Sequence, residues 1–253
     1  MVNQLYRGQD MTTETSVPAT SAPTSGSAFS TLLAIFTEPA KAFVAVEKRS
    51  MILLPLILMV VGMVGMLFFY YQSVDMSWLQ DKMFAGKDMD PAQLEAAKKM
   101  VSKNMLLTTS AIGGAIGPLI MYAIVATYFT IVSKITNVPI NFGKWFAFAT
   151  WSAVPGLLAI PLGLLQIVLA QQGQLAPNQL NPLSLNQLFF HLDMNAHWAT
   201  LLDTINVTTL WTMFVTVVGF ETWTKKSRAT SIAVVVTPYI VVFAIMTAIN
   251  LAH

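Results

Sequence analysis

The sequence has no cysteine and very little charge: of 253 residues, only 10% are Asp, Glu, Lys or Arg. The first absence removes disulfide scaffolds, thiolate metal sites and cysteine nucleophiles. The second removes more, because a soluble globular domain carries about 25% charged residues. A soluble chain of this size with so few would lack the polar surface that keeps it dissolved. A cytosolic enzyme and a disordered chain are excluded on that ground. The net charge of +2 offers nothing to a polyanion, so no nucleic-acid partner is expected. Catalytic patterns are missing too: there is no Ser-His-Asp arrangement, no HExxH and no pair of catalytic carboxylates. The glycine-rich stretch Gly113-Gly114-Ala115-Ile116-Gly117-Pro118 lies inside an apolar run and is no nucleotide loop. Neither an enzyme activity nor a cofactor is expected.

What is there is apolar, at 55% of the residues. A helix that crosses a bilayer needs about 20 mostly apolar residues. Five segments qualify: 51–71, 105–132, 145–170, 205–223 and 232–251. Each is too long for a membrane strand, which needs about 9–11 residues in alternation. The expected fold is all-α, a polytopic integral membrane protein with five transmembrane helices preceded by an interfacial amphipathic helix. Residues 1–27 are rich in Ser, Thr, Pro, Ala and Gly and read as a disordered cytoplasmic tail. They hold no apolar run of signal-peptide length, so the N-terminus is expected to be retained. Residues 28–253 form the membrane domain.

Basic residues set the expected orientation. Arg7, Lys41, Lys48, Arg49, Lys134, Lys144, Lys225, Lys226 and Arg228 fall on one side of the five spans. Lys82, Lys87, Lys98, Lys99 and Lys103 fall on the other, in one loop that also holds Asp75, Asp81, Asp88, Asp90 and Glu95. The N-terminus is therefore expected in the cytoplasm and the C-terminus on the opposite side, in the inner membrane if the source is bacterial. His253 is given no role.

The flanking segments have their own patterns. Across 28–50, Phe29, Leu32, Leu33, Phe36, Ala40 and Phe43 recur at helical spacing. Pro39 has no amide hydrogen, so one helix is expected to end before it and a second, capped by Thr37 or Glu38, to begin there. The expected place is flat on the cytoplasmic interface, as an anchor or as a partner-binding element. Asp90, Pro91 and Gln93 predict a capped helix over 90–103 that runs on into the second span, with Glu95 and Lys99 paired along it. In the loop 171–203, Leu188, Phe189, Phe190, Leu192 and Trp198 predict a short segment lying back on the outer membrane surface.

The chain also resembles a known family. Phe36-Thr37-Glu38-Pro39 with Phe43 stands before the first span, and Trp151-Ser152-Ala153-Val154-Pro155 lies in the third. The stretch from Phe220 to Tyr239 carries a basic turn between the last two spans. With five spans and a cytoplasmic N-terminus, these features are similar to the Yip (Ypt/Rab-interacting protein) membrane family in a bacterial form, over about residues 28–251. The resemblance implies a role in membrane organisation or traffic, which in eukaryotic members involves small GTPases. The Asp-Leu-Tyr-Gly-Pro and Gly-Tyr cytoplasmic motifs of those members are not found here.

Few residues carry chemistry. Glu221 is the one carboxylate in the body of a span, and such a charge is costly and a functional candidate. It either pairs with Lys225 four residues on, or joins Glu38 and Glu47 as a carboxylate cluster for a divalent cation or a cationic partner. His191, Asp193 and His197 are a second metal-ligand candidate, set against a plain interfacial role. Gly113 and Gly117 offer a close-approach helix face. Pro155 and Pro161 predict a kinked third span whose freed carbonyls neighbours must satisfy. Thr209, Thr212 and Thr216 share a face of the fourth span and either bond across helices or line a polar path. Two functions follow. One is a non-enzymatic membrane scaffold or adaptor acting through its cytoplasmic face. The other is a small oligomeric transporter, channel or lipid-translocating protein that uses Glu221 and the kinked span. Expected partners are the lipid bilayer, a protein at the cytoplasmic face and a second copy of the chain.

Overall fold

A computed structural model describes residues 27–252. The tail expected over 1–27 lies, but for its last residue, outside the described residues, as does His253. Among those described there are eleven α-helices and no strand beyond one isolated bridge. Two short helices come first, α1 (Ala28–Thr37) and α2 (Pro39–Lys48), then the long α3 (Leu53–Ser73). Helices α4 (Met76–Phe84) and α5 (Pro91–Met100) lead to α6 (Lys103–Ile135). Next come α7 (Phe142–Ser152) and α8 (Ala159–Leu169), joined by the 3-10 segment Val154–Leu158. After an irregular loop follow α9 (Ala199–Thr204), α10 (Val207–Thr224) and α11 (Arg228–Ala252).

Four units are long and apolar enough to cross a membrane: Leu53–Ser73, Lys103–Ile135, Phe142–Leu169 and Arg228–Ala252. The chain is a multi-pass membrane protein. The fifth expected span, α10, is 18 residues long, but its six threonines and Glu221 dilute its hydropathy, so its composition alone does not mark it as a span. Large side chains such as Leu53, Val61, Phe68, Ile124, Ile131 and Ile245 stand exposed on the outer faces of α3, α6 and α11, as suits a lipid surround.

Prolines and caps place the breaks. Pro39 opens α2 as its first residue, and α1 ends at Thr37. Glu38 is the cap residue by position, but its side chain makes no capping bond and pairs instead with Lys41. Pro155 sits in the 3-10 segment and Pro161 in the first turn of α8, so the third span is interrupted where two prolines remove amide donors. The helix expected over 90–103 does not run on into α6. Asp90 caps it through the Gln93 amide at 2.8 Å, but it ends at Met100, and the Ser102 hydroxyl starts α6 afresh by accepting from the Met105 amide at 3.2 Å. Gln80 of α4 fixes that break by donating to the carbonyls of Lys98 and Val101 at 3.0 and 2.7 Å. The Glu95–Lys99 pair is not formed; Lys98 bonds Asp81 of α4 at 2.7 Å, and that bond raises the ammonium pKa.

Two cores hold the helices together. The larger joins α1, α2, α6, α7, α10 and α11 and is rich in aromatic rings: Phe43, Phe129, Trp145, Phe148, Trp151, Phe220 and Trp223 are all buried there. The Trp145 ring lies 5.0 Å from Phe129 and 5.8 Å from Phe220, stacked on both. The smaller core, of Met66, Tyr70, Tyr71, Val74, Leu79, Ile167, Leu175 and Leu180, closes the other end of the bundle. At that end Gly173, in the left-handed region at φ +70°, lets the loop after α8 touch the end of α3, and its carbonyl accepts from the Asp75 amide at 3.0 Å. Asp75 caps α4. The Ser77 hydroxyl, then the Trp78 and Ser77 amides, bond its carboxylate and hold its pKa below the usual value.

Aromatic donors stitch the helices together by bonding backbone carbonyls of distant segments. Pro238 has no amide hydrogen for the carbonyl of Val234, four residues before it in α11, and the Tyr128 hydroxyl of α6 donates to that carbonyl at 2.7 Å. The carbonyl of Met51, which precedes α3, has no helical partner, and the Trp151 indole N–H donates to it at 2.7 Å. Trp223 Nε1 donates to the Phe43 carbonyl at 2.8 Å, and Tyr70 to that of Leu175 at 2.7 Å. The expected small-residue face proves to be a different one. Gly114 faces Val64 and Met63 of α3, while Gly113 and Gly117 have no neighbour within 4 Å of where a Cβ would stand.

Candidate functional site

The bundle end that carries α2 is built around one close approach. Ala42, Phe43 and Val46 of α2 are buried, and the Phe43 ring lies over Gly219 of α10. A Cβ at position 219 would come within 2.5 Å of Phe43 Cε2, so only glycine admits the ring there. Phe43 then packs 4.9 Å from Phe148 and edge-on to Trp223. Helix α1 turns back from α2: Thr31 and Ile35 are buried, and the Phe36 ring stands 6.5 Å from Trp211 of α10. The N-terminal pair is thus docked on the bundle rather than only laid on the interface. Its outward residues include Lys41, Val44 and Lys48.

Beside this pair, a cavity of about 360 Å³ opens between the start of α2 and the α10–α11 turn, lined by Ala40, Val218, Glu221, Thr222, Lys225, Lys226 and Arg228. Lys225 ends α10 in the left-handed conformation at φ 55°, its backbone N–H bonded to the Glu221 carbonyl at 2.9 Å. That turn sends the Lys225 side chain out and brings the first residue of α11 back over Glu221. Glu221 therefore pairs with Arg228, seven residues on, and not with Lys225 as its spacing suggests. Lys226 reaches the other way, and its ammonium donates to the Thr136 carbonyl at the end of α6 at 3.2 Å. The cavity wall so carries three cations and one carboxylate.

The expected carboxylate cluster is not assembled. Glu38 pairs with Lys41, Glu221 with Arg228, and no group of three or more His, Asp or Glu among the described residues is placed to hold a metal ion. Glu38, Glu47 and Glu221 therefore form no shared cation site here. The same holds at the opposite end for His191, Asp193 and His197, which go to separate tasks. Asp193 pairs with Lys82 of α4 at 3.0 Å, and His197 Nε2 meets the carbonyl of Asn250 at the end of α11. His191 occupies a left-handed position at φ 54°, and its amide bonds the Asn186 carbonyl at 2.7 Å. Asn186, which sequence patterning does not single out, is fully buried and clamps this loop by exchanging bonds with both the N–H and the carbonyl of Leu192, at 2.8 and 3.2 Å. Phe189 and Phe190 stay exposed beside it.

Of the three threonines that share a face of α10, Thr216 bonds within its own helix rather than across to another. The Thr216 hydroxyl donates to the Thr212 carbonyl at 2.6 Å, within its own helix, and Thr208 bonds the Asn206 side chain, also at 2.6 Å.

No curated protein and no solved structure matches the chain. A family model, that of the Yip1 domain, matches residues 33–249, from the middle of α1 to the last turn of α11. The chain belongs to the Yip1 domain family.

Proposed function

We propose that this protein is a non-enzymatic membrane scaffold or adaptor of the bacterial type, with five spans, which works through the cytoplasmic bundle end formed by α1, α2 and the α10–α11 turn. The observation that carries this is the docking of α2. One face is locked into the aromatic core by Phe43 over Gly219, so the other face, with Lys41, Val44 and Lys48, is held at a fixed place for a partner. An anchor floating in lipid has no such fixed surface. The basic residues on this side support the cytoplasmic assignment.

The transporter reading finds less support. The core beneath Glu221 is filled by Phe129, Trp145, Phe148 and Phe220, and the α10 hydroxyls bond their own helix. A photo-crosslinker at Val44 or Lys48 is expected to trap one discrete protein in intact cells, while the same group at Leu251 traps a different set. Proteoliposomes are expected to show no ion or solute flux. Flux that is abolished by Glu221→Gln would replace the scaffold with the transporter.

A further inference from the structure

The cavity at the α10–α11 turn has a chemistry that protein docking alone does not use. Lys225, Lys226 and Arg228 line it, and Thr222 adds a hydroxyl at its edge. Lys226 is tethered to the Thr136 carbonyl, which fixes one positive wall, while the Arg228 side chain remains 59% exposed despite its bond to Glu221. What lies below is equally informative. Leu210, Phe214, Val218, Glu221 and Lys225 follow one another at spacings of four, four, three and four, so they share one face of α10. Leu210 and Phe214 are exposed, at 58% and 53%. An apolar stripe thus runs along α10 and ends in a cationic cavity.

From this juxtaposition we infer that the cavity is a specific site for one anionic phospholipid. The headgroup phosphate sits among Lys225, Lys226 and Arg228, and an acyl chain lies along Val218, Phe214 and Leu210. A free phosphate uses the cations but gains nothing from the stripe; a lipid uses both. Glu221 stands as an internal competitor. It occupies Arg228 when the site is empty and repels the headgroup, so the lipid must take Arg228 from it. The inference names a ligand for the same bundle end as the proposed scaffold and rests on α10 lying along the bilayer. Its test is separate, because lipid retention is read without any protein partner.

The experiment is native mass spectrometry of the purified full chain in detergent, supplied with equal amounts of phosphatidylglycerol and phosphatidylcholine. One phosphatidylglycerol is expected to be retained in preference by about thirtyfold, the scale of two well-placed cations at a membrane surface. Lys225→Gln with Arg228→Gln, leaving the structural Lys226 in place, is expected to abolish the preference. Lys99→Gln with Lys103→Gln, in the last turn of α5 and the first turn of α6 at the other end, is expected to leave it intact. Glu221→Gln is expected to raise retention, which is a readout that a folding defect does not produce. Equal retention by wild type and the Lys225/Arg228 variant would overturn the site. A fall in retention on Glu221→Gln would overturn it too, since the carboxylate would then be part of the binding set. Displacement of the lipid by millimolar inorganic phosphate would show a free-phosphate site and overturn the lipid assignment.

Discussion

Tyr128 and Trp151 each serve a backbone carbonyl that its own segment leaves open. Pro238 lacks the amide hydrogen that would have served the carbonyl of Val234 inside α11, Met51 stands just ahead of α3, and the two aromatic donors bond those carbonyls at 2.7 Å from distant helices. In a bilayer no water replaces such a bond, so the pairing matters more than its net energy suggests. Tyr128→Phe is expected to lower stability by about 1 kcal/mol, the scale of hydrogen bonds between membrane helices. In a Pro238→Ala background the helix supplies its own amide at 238, and the same substitution is expected to cost nearly nothing. Unfolding in micelles across the four proteins of that cycle measures the difference; an equal cost in both backgrounds would show that Tyr128 does not serve the carbonyl. That prolines free carbonyls was legible for Pro155 and Pro161 in the third span, and the same rule covers Pro238. Which neighbour serves was not, since Tyr128 and Val234 are 106 residues apart and no local pattern links them.

Among the elements, α2 is the one whose sequence and setting diverge most. The break before Pro39 was legible because proline acts locally. The docking was not: an amphipathic face reads alike whether it meets lipid or protein, and the receiving surface is a single glycine about 180 residues away, since Trp223 beside it bonds Phe43 at that separation. The end of α5 was equally hidden, because Gln80 of α4 caps it across the chain. Gly219→Ala places a methyl against the Phe43 ring and is expected to cost about 1–3 kcal/mol, the usual range for overpacking. Phe43→Leu in the same chain is expected to return part of that loss. Thermal unfolding in detergent checks both, and limited proteolysis is expected to cut first at the turn after α2 in the glycine variant. An unperturbed Gly219→Ala would mean that α2 rests on the bundle without being wedged into it. The site candidates failed at this scale for a related reason. Glu221 was identifiable as an isolated carboxylate, but its partner depends on the left-handed turn at Lys225, which swings Arg228 back over it.

For the whole molecule, membrane class and helical fold were plain from composition, since lack of charge and long apolar runs are properties of the chain as a whole. The span count was less plain: four helices are long and apolar enough to cross, while α10 buries Val215, Val217, Phe220 and Trp223 against its neighbours and carries six threonines. The contacts at its two ends bear on the topology. Trp223 and Arg228 lie at the end with α2, whereas Asn206, the cap of α10, bridges to Ser184 in the loop at the opposite end, and Asn250 of α11 meets His197 there. The central claim we propose is that the polypeptide crosses five times and that α2 and the end of α11 face opposite compartments. The chain has no cysteine of its own, so single cysteines at Lys48, Asp88 and Leu251 report directly when an impermeant maleimide is applied to intact cells. Labelling at 88 and 251 without permeabilisation, and at 48 only after it, is the predicted result; labelling of 48 and 251 from the same side would contradict it.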